Sequence, residues 1–375
     1  MLFFLATGLS CVTLLRIMDT TVVFGFALLL LGAFCGGSFG LPSKFVKKDT
    51  PWETLWGPFF FFVTILVPVT LFPLVAHDMF ASVSDAGWGL IALPVLFGFL
   101  WGLGSMTLGL SFTFIGLSLA YAINYGAQIA CGGLGPFIIH HPEQLTTTHG
   151  SVIVTGVVVC IVGVIVCGRA GILKSRSQNQ PAPAGVAVGK GMVLACLSGV
   201  LCACYSIAFS FGGGVMDVAV KQHGNPGWQS AFVVSALILW GGAVSACGYC
   251  VFKFFKNKTW NTFTAPGIGR VLLIAFIMSL LHDGAILFFG IGASKLGTLG
   301  VAVGYAAFMS FAIIVGNANG FLTKEWKGAS RQSVGWIVAG IAVLIIGVCL
   351  LATGNFMQAE SAKKIVAQAL PPDSR

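Results

Sequence analysis

Charge is what this chain has least of. Asp, Glu, Lys and Arg make up 8% of its 375 residues, against 57% hydrophobic ones, whereas a soluble domain carries roughly 25% charged residues. That shortage excludes a soluble globular domain and a disordered chain, and a mean hydropathy of +0.95 points to a bilayer. Strand-like alternation is also missing, which excludes a barrel and leaves an all-α, polytopic membrane helical bundle. There is no HExxH, no nucleophile elbow set between a strand and a helix, and no Walker loop of an ATP-driven pump. The eleven cysteines lie mostly in apolar runs, as Cys196, Cys202, Cys204, Cys247 and Cys250 do, so they read as small packing residues. His140, His141 and His149 have only Glu143 nearby, an incomplete metal set. No enzyme activity, metal or cofactor is expected. The net charge of +9 falls in short loops between apolar runs, where it is topogenic and not a nucleic-acid footprint.

What is present is a series of apolar runs. Ten read as spans: residues 22–43, 54–76, 90–112, 115–139, 152–167, 191–215, 230–255, 271–292, 299–322 and 334–353. The longest polar interruption, residues 169–190 with SRSQNQPAPAG, separates five from five. The chain therefore divides into an apolar extension (1–21), a first repeat (22–168), a linker (169–190), a second repeat (191–354) and a tail (355–375). Residues 1–15 fall short of the ~17 that a span needs; an interfacial or buried helix is expected there, with an eleventh span as the alternative. Glycine, 50 of 375, is about twice its usual ~7% share and permits close helix contact and broken helices.

With ten spans, fourteen Lys and Arg fall on one side, among them Lys44, Lys174, Arg270 and Lys324, and six on the other. The linker and basic loops are thus expected in the cytoplasm and both termini outside, in a cell membrane. Five is odd, so consecutive five-span halves must run in opposite senses, the inverted-repeat plan of many secondary transporters. Sliding the chain by 181 residues sets Gly109 on Gly290, Gly116 on Gly297 and Gly135 on Gly316, and aligns short linkers at 113–114 and 293–298.

Residues 271–292, VLLIAFIMSLLHDGAILFFGIG, carry His282 and Asp283 at the centre of a span. A charge there costs ~2.5 kcal/mol or more, so it should face protein or water. Burial disfavours the ionised form, so Asp283 is expected to load and unload a proton while His282 lines the cavity or tunes that proton. The alternative is a structural pair bonded to neighbouring helices. On the fourth span Tyr121, Asn124, Tyr125 and Gln128 fall at i, i+3, i+4 and i+7. Such a stripe can bond sugar hydroxyls and stack on a pyranose, or it can tie neighbouring helices. The 181-residue offset sets Tyr305 against Asn124 and Trp101 against His282. Tyr205, Ser206 and Ser210 are weaker candidates, because serine in a membrane helix commonly bonds its own backbone carbonyl. The runs at 47–56 and 324–326 combine basic residues with tryptophan and read as interfacial anchors.

Four segments together resemble the L-rhamnose–proton symporters of the drug/metabolite transporter superfamily. They are KKDTPWETLW (47–56), LWGLGSMTLGLSFTFIGLSLAYAI (100–123), GRAGILKS (168–175) and KEWKGASR (324–331). The resemblance runs from about residue 25 to 354 and implies a ten-helix inverted repeat, symport of a 6-deoxyhexose with a proton, and a central site shared by the halves. Residues 1–21 and 358–375 are extra to that pattern, and His282–Asp283 departs from a span that is otherwise neutral and aromatic in the family. The expected partners are a small neutral sugar such as L-rhamnose, a proton and the lipid bilayer. Alternatives are a facilitated carrier or exporter of another neutral metabolite and, from another class, a non-transport membrane scaffold or enzyme. No span centre holds Lys or Arg, which argues against anionic substrates.

Overall fold

The computed structural model describes residues 20–140, 142–177, 182–296 and 305–369. Outside these lie residues 1–15 with most of the apolar extension, His141, the centre of the expected linker, the start of the ninth span and the last residues of the tail. Among the described residues the regular elements are helices and no strand occurs. Eight helices of the described residues are long and apolar enough to cross a membrane, and Ala307–Leu322 is a shorter apolar one.

The first span is α1 (Thr20–Ser38), followed by a 3-10 turn at Leu41–Phe45. The second opens at α2 (Trp52–Phe61), after the extended Pro51. A π turn, Phe62–Leu66, then leads to α3 (Val67–Thr70). Pro68 lacks an N–H and its ring crowds the carbonyl four residues back, so the helical ladder must loosen ahead of it. Next comes α4 (Met79–His140), 62 residues long. Unbroken, it would run about 93 Å at 1.5 Å per residue, some three times a ~30 Å hydrocarbon core. It is broken at Gly87 (φ 69°) and Gly116 (φ 76°). The sequence placed the turn at 113–114; it falls at Gly116 because glycine takes positive φ without steric cost.

α5 (Thr148–Ser177) and α6 (Ala182–Cys202) extend into the stretch expected as linker from both sides. Arg169, Ala170, Leu173 and Lys174 are good helix formers, and polarity alone does not end a helix. The sixth span continues through α7 (Cys204–Phe211) and α8 (Gly213–Lys221). α9 (Gly227–Asn257) starts after Pro226 and ends on Lys258 in the left-handed conformation (φ 55°). The remaining helices are α10 (Ile268–Leu296), α11 (Tyr305–Leu322) and α12 (Arg331–Ala369), the last running on into the expected tail.

α5 packs on α12, α4 on α6 and α9, and α1 on α10 and α11. Lipid tails are as apolar as leucine, so association depends on close fit. In the α5–α12 seam Gly156 and Gly163 receive Leu351 and Leu344, and a Cβ at Gly347 would stand 2.6 Å from Cys160 Sγ. On the opposite face of α5, Val158, Ile161, Val162 and Ile165 are exposed, a stripe suited to lipid. Between α1 and α10, a Cβ at Gly292 would meet the Gly25 carbonyl at 2.7 Å.

This packing sets a direct test. Gly347→Leu should overfill the seam at a cost of ~1–3 kcal/mol, seen as a lower melting temperature of the purified protein in detergent. Val338→Leu, on the exposed face of α12, should leave the melt unchanged.

Candidate functional site

The middle of α10 puts an acid where solvent is scarce: Asp283 is 3% exposed. Its Oδ1 lies 3.0 Å from His282 Nδ1. Its other oxygen, Oδ2, is buried and has no hydrogen-bond partner. A buried acceptor left unmatched is costly, and the great majority in folded proteins are matched. This one is therefore the first place to look for a proton or a ligand.

Adjacent helical residues project about 100° apart, so His282 faces elsewhere than Asp283. Its ring meets Phe39 edge-on at 5.3 Å and Phe59 edge-on at 6.1 Å, and Trp101 at 5.9 Å. Phe39 follows α1, Phe59 sits on α2, and Trp101 belongs to the part of α4 before Gly116. Trp101 lies 6.0 Å from the Tyr205 ring on α7, whose hydroxyl donates to Ser235 Oγ at 2.9 Å. Trp101 and His282, paired in sequence by the 181-residue offset, thus touch in space.

The expected stripe on the fourth span divides into two sets of contacts. Tyr121 is fully buried and stacks on Tyr125, ring to ring at 5.4 Å, while meeting Phe39 edge-on at 5.8 Å. Its hydroxyl accepts the Gly40 N–H at 2.9 Å, and the Tyr125 hydroxyl donates to the Gly36 carbonyl at 2.8 Å. Both tyrosines therefore tie the second part of α4 to the end of α1. Asn124 turns instead to α6: its Nδ2 donates to Ser198 Oγ at 2.8 Å, and Ser198 donates on to the Gly104 carbonyl at 2.6 Å. Asn124 Oδ1 is buried without a partner. Gln128 is half-buried one turn further on.

The weaker candidates are placed as follows. Ser210 donates to the Ile207 carbonyl of its own helix at 2.7 Å, the backbone role typical of such serines. Ser206 is half-buried, near Gly132 of α4. Tyr305 is the first residue of α11, and its side chain lies outside the described residues.

Sequence reasoning missed Phe39 and Phe59, which carry no polar mark inside apolar runs. It also read the tryptophan motifs as surface anchors, whereas the structure packs their tryptophans against other helices. Trp56 is 4% and Trp326 6% exposed, and Trp52 stacks on Trp56 at 5.8 Å. Glu53, 1% exposed, accepts from Asn257 Nδ2 and Thr259 Oγ1, both at 2.8 Å. The motifs are buried ties between helices, because each acid finds donors on a distant segment.

The sequence model of the family described as L-rhamnose-proton symport protein (RhaT) matches residues 18–357. Among curated proteins, the L-rhamnose-proton symporter of Enterobacter sp. (strain 638) is 26% identical over 344 residues, covering 90% of this chain and 99% of its own. Its counterparts in Escherichia coli (strain 55989 / EAEC) and Yersinia pestis bv. Antiqua (strain Antiqua) are each 27% identical with the same coverage. No solved structure matches the chain.

The tyrosine geometry is testable by itself. Tyr121→Phe keeps the ring but leaves the Gly40 N–H without its acceptor, which should cost ~1–3 kcal/mol, read as a lowered melting temperature. Ser206→Ala should cost nothing measurable by the same readout.

Proposed function

The chain belongs to the L-rhamnose-proton symport protein family, and from that premise we propose that it carries L-rhamnose or a closely related sugar across a cell membrane together with a proton. The observation that carries the reading to a place in the molecule is the unpartnered Oδ2 of buried Asp283, on the residue next to His282, whose ring meets Phe39, Phe59 and Trp101.

The chemistry suits a sugar. Aromatic faces take the apolar C–H side of a pyranose, and a few placed polar groups bond its hydroxyls. Protonated Asp283 offers an O–H to a sugar oxygen and a carbonyl oxygen to a hydroxyl, and Tyr125, Gln128 and the unpartnered Oδ1 of Asn124 on α4 are assigned as further polar groups. Tyr121, Trp101, Tyr205 and Tyr305 are assigned as wall residues, with Ser206 and Ser210 as outer contributors. A charged Asp283 in mid-membrane is expensive and a neutral one is not. Proton and sugar therefore favour the same loaded state.

The architecture we propose with this reading is ten spans in two inverted halves of five. Dividing the 54-residue stretch Met79–Gly132 at Gly116 and adding Ala307–Leu322 to the remaining apolar helices makes ten. Trp101 against His282 at 5.9 Å is the kind of contact that equivalent residues make where two halves meet. The Lys and Arg bias assigns the basic end to the cytoplasm.

Labelled L-rhamnose offered to vesicles holding the purified protein should accumulate when an inward proton gradient is imposed, and only equilibrate without it. Asp283→Asn should abolish the uphill component while sugar counterflow continues. No movement of the sugar under any condition, from protein that melts cooperatively, would sink the substrate assignment. Undiminished accumulation by Asp283→Asn would remove Asp283 from the coupling step.

A further inference from the structure

One acid outside the candidate site has more partners than any anchor needs. Glu325 follows α11, and the end of that helix fixes where it stands. Lys324 takes a left-handed conformation (φ 60°), with its N–H bonded to the Phe321 carbonyl and the Glu325 N–H to the Gly320 carbonyl. This is the paired closure of a Schellman motif, which ends a helix in a fixed geometry. The Glu325 carboxylate is thereby carried rigidly on α11, with its side chain 6% exposed.

Its partners come from the other half of the chain. The break at Gly116 leaves the next helical segment with N–H groups that lack intrahelical acceptors. Glu325 Oε1 accepts the Leu117 N–H at 2.8 Å, and Oε2 accepts the Ser118 N–H at 3.1 Å. Lys44 Nζ, just past α1, lies 2.8 Å from Oε1. Such a cap usually comes from the residue beside the helix start; here it comes from more than 200 residues away in sequence. Glycine at 116 is required, since a Cβ there would stand 2.6 Å from Oε2.

Trp326 closes the joint from the next position. Its Nε1 donates to Ser118 Oγ at 3.0 Å, Ser118 donates to Asn317 Oδ1 at 2.7 Å, and Lys174 lies 4.7 Å over the Trp326 ring. Four segments, at 44, 117–118, 174 and 317–326, therefore converge at the basic end of the bundle. The helix capped by Glu325 is also the one that carries Tyr121, one turn on from Ser118, with its hydroxyl on Gly40.

We propose that Glu325 is the latch of this end. Its carboxylate holds the path shut by gripping Lys44 and the Leu117 and Ser118 amides, and it must release them for the solute path to open on the basic side. The inference rests on the transport reading for its purpose, but the latch itself can be read without any sugar. Opening of the joint separates α11 from the α1 end and from the helix start at Leu117, and uncovers the space around Phe39 and Tyr121. Cys35 on α1 is a native reporter of that space. It is 7% exposed, and its Sγ lies 3.9 Å from where a Cβ at Gly284 would be, next to Asp283.

The test applies a membrane-impermeant thiol reagent to the basic face of vesicles and follows Cys35 by peptide mass spectrometry. Cys160, 0% exposed in the α5–α12 seam, serves as the internal control. Glu325→Gln keeps shape and one acceptor but gives up the charge that Lys44 grips. Because bonds to a charged group are the strong ones, Cys35 labelling should speed up about tenfold. Lys44→Gln leaves both amide bonds in place and should raise it by a smaller factor. In both variants Cys160 should label at the wild-type rate. Unchanged Cys35 labelling in both variants would overturn the latch. So would a parallel rise at Cys160, since that marks a staple whose loss loosens the whole bundle. If Glu325→Gln protein does not assemble, Lys44→Gln alone decides by the same two readings. Failure of L-rhamnose uptake with the Cys35 response intact would overturn the substrate and keep the latch.

Discussion

Taking a carboxylate out of water is the constraint on which the rest of this structure depends. In a low-dielectric interior an acid must find donors or give up its charge. Glu53 finds Asn257 and Thr259. Glu325 finds two amides and an ammonium. Both stand where helices end and loops bring donors. Asp283 stands in mid-helix, where backbone N–H groups are already used, and finds only His282 on one oxygen. The difference in satisfaction sets Asp283 apart from the other two acids, and it follows from position along a helix.

Glycine supplies the complementary freedom. Where helices must touch, it lets backbones approach to distances that a methyl group would block, as at Gly347 against Cys160 and Gly292 against Gly25. Where one helix must stop and another begin without a loop, it supplies the positive φ of Gly116. That break costs two unmatched N–H groups, and Glu325 offsets the cost. The glycine, the acid and the lysine at 44 thus form one solution spread over three distant parts of the chain.

Much of the helical layout was legible in the sequence because span length and apolar runs report on the bilayer itself. Among the described residues eight apolar helices overlap the expected runs, one of them covering two, and His282–Asp283 is conspicuous as charge in the wrong solvent. Partners were not legible. Periodicity says that Tyr121 and Asn124 share a face, yet Tyr121 meets α1 and Asn124 meets α6, since neighbouring helices divide one face between them. The tryptophan motifs misled for a related reason. Basic residues beside Trp look the same whether they sit at an interface or in a tertiary joint, and only contacts across some 200 residues of chain distinguish the two. Local polarity does not mark the end of α5, which runs on into the stretch expected as linker, where Arg169 stacks on Trp336 at 4.8 Å.

Asp283 and the proposed latch are joined by a short series of packed rings. Asp283 bonds His282, His282 meets Phe39, Phe39 meets Tyr121, and Tyr121 lies one turn from the Ser118 amide that Glu325 holds. Adjacency alone does not transmit anything; coupling needs elements with two discrete arrangements whose balance both ends shift. The proposed reading gives each end two: Asp283 neutral or charged, and Glu325 engaged or released. In the proposed cycle a proton on Asp283 changes the charge of the group bonded to His282, whose ring meets Phe39. Phe39 adjoins Gly40, whose N–H bonds Tyr121, and Lys44 lies one helical turn further on. A shift in how Phe39 packs therefore acts on the segment that presents the lysine to the latch. On the proposed reading, loading of Asp283 and release of the basic end are coupled through this segment, as carrying two solutes together requires.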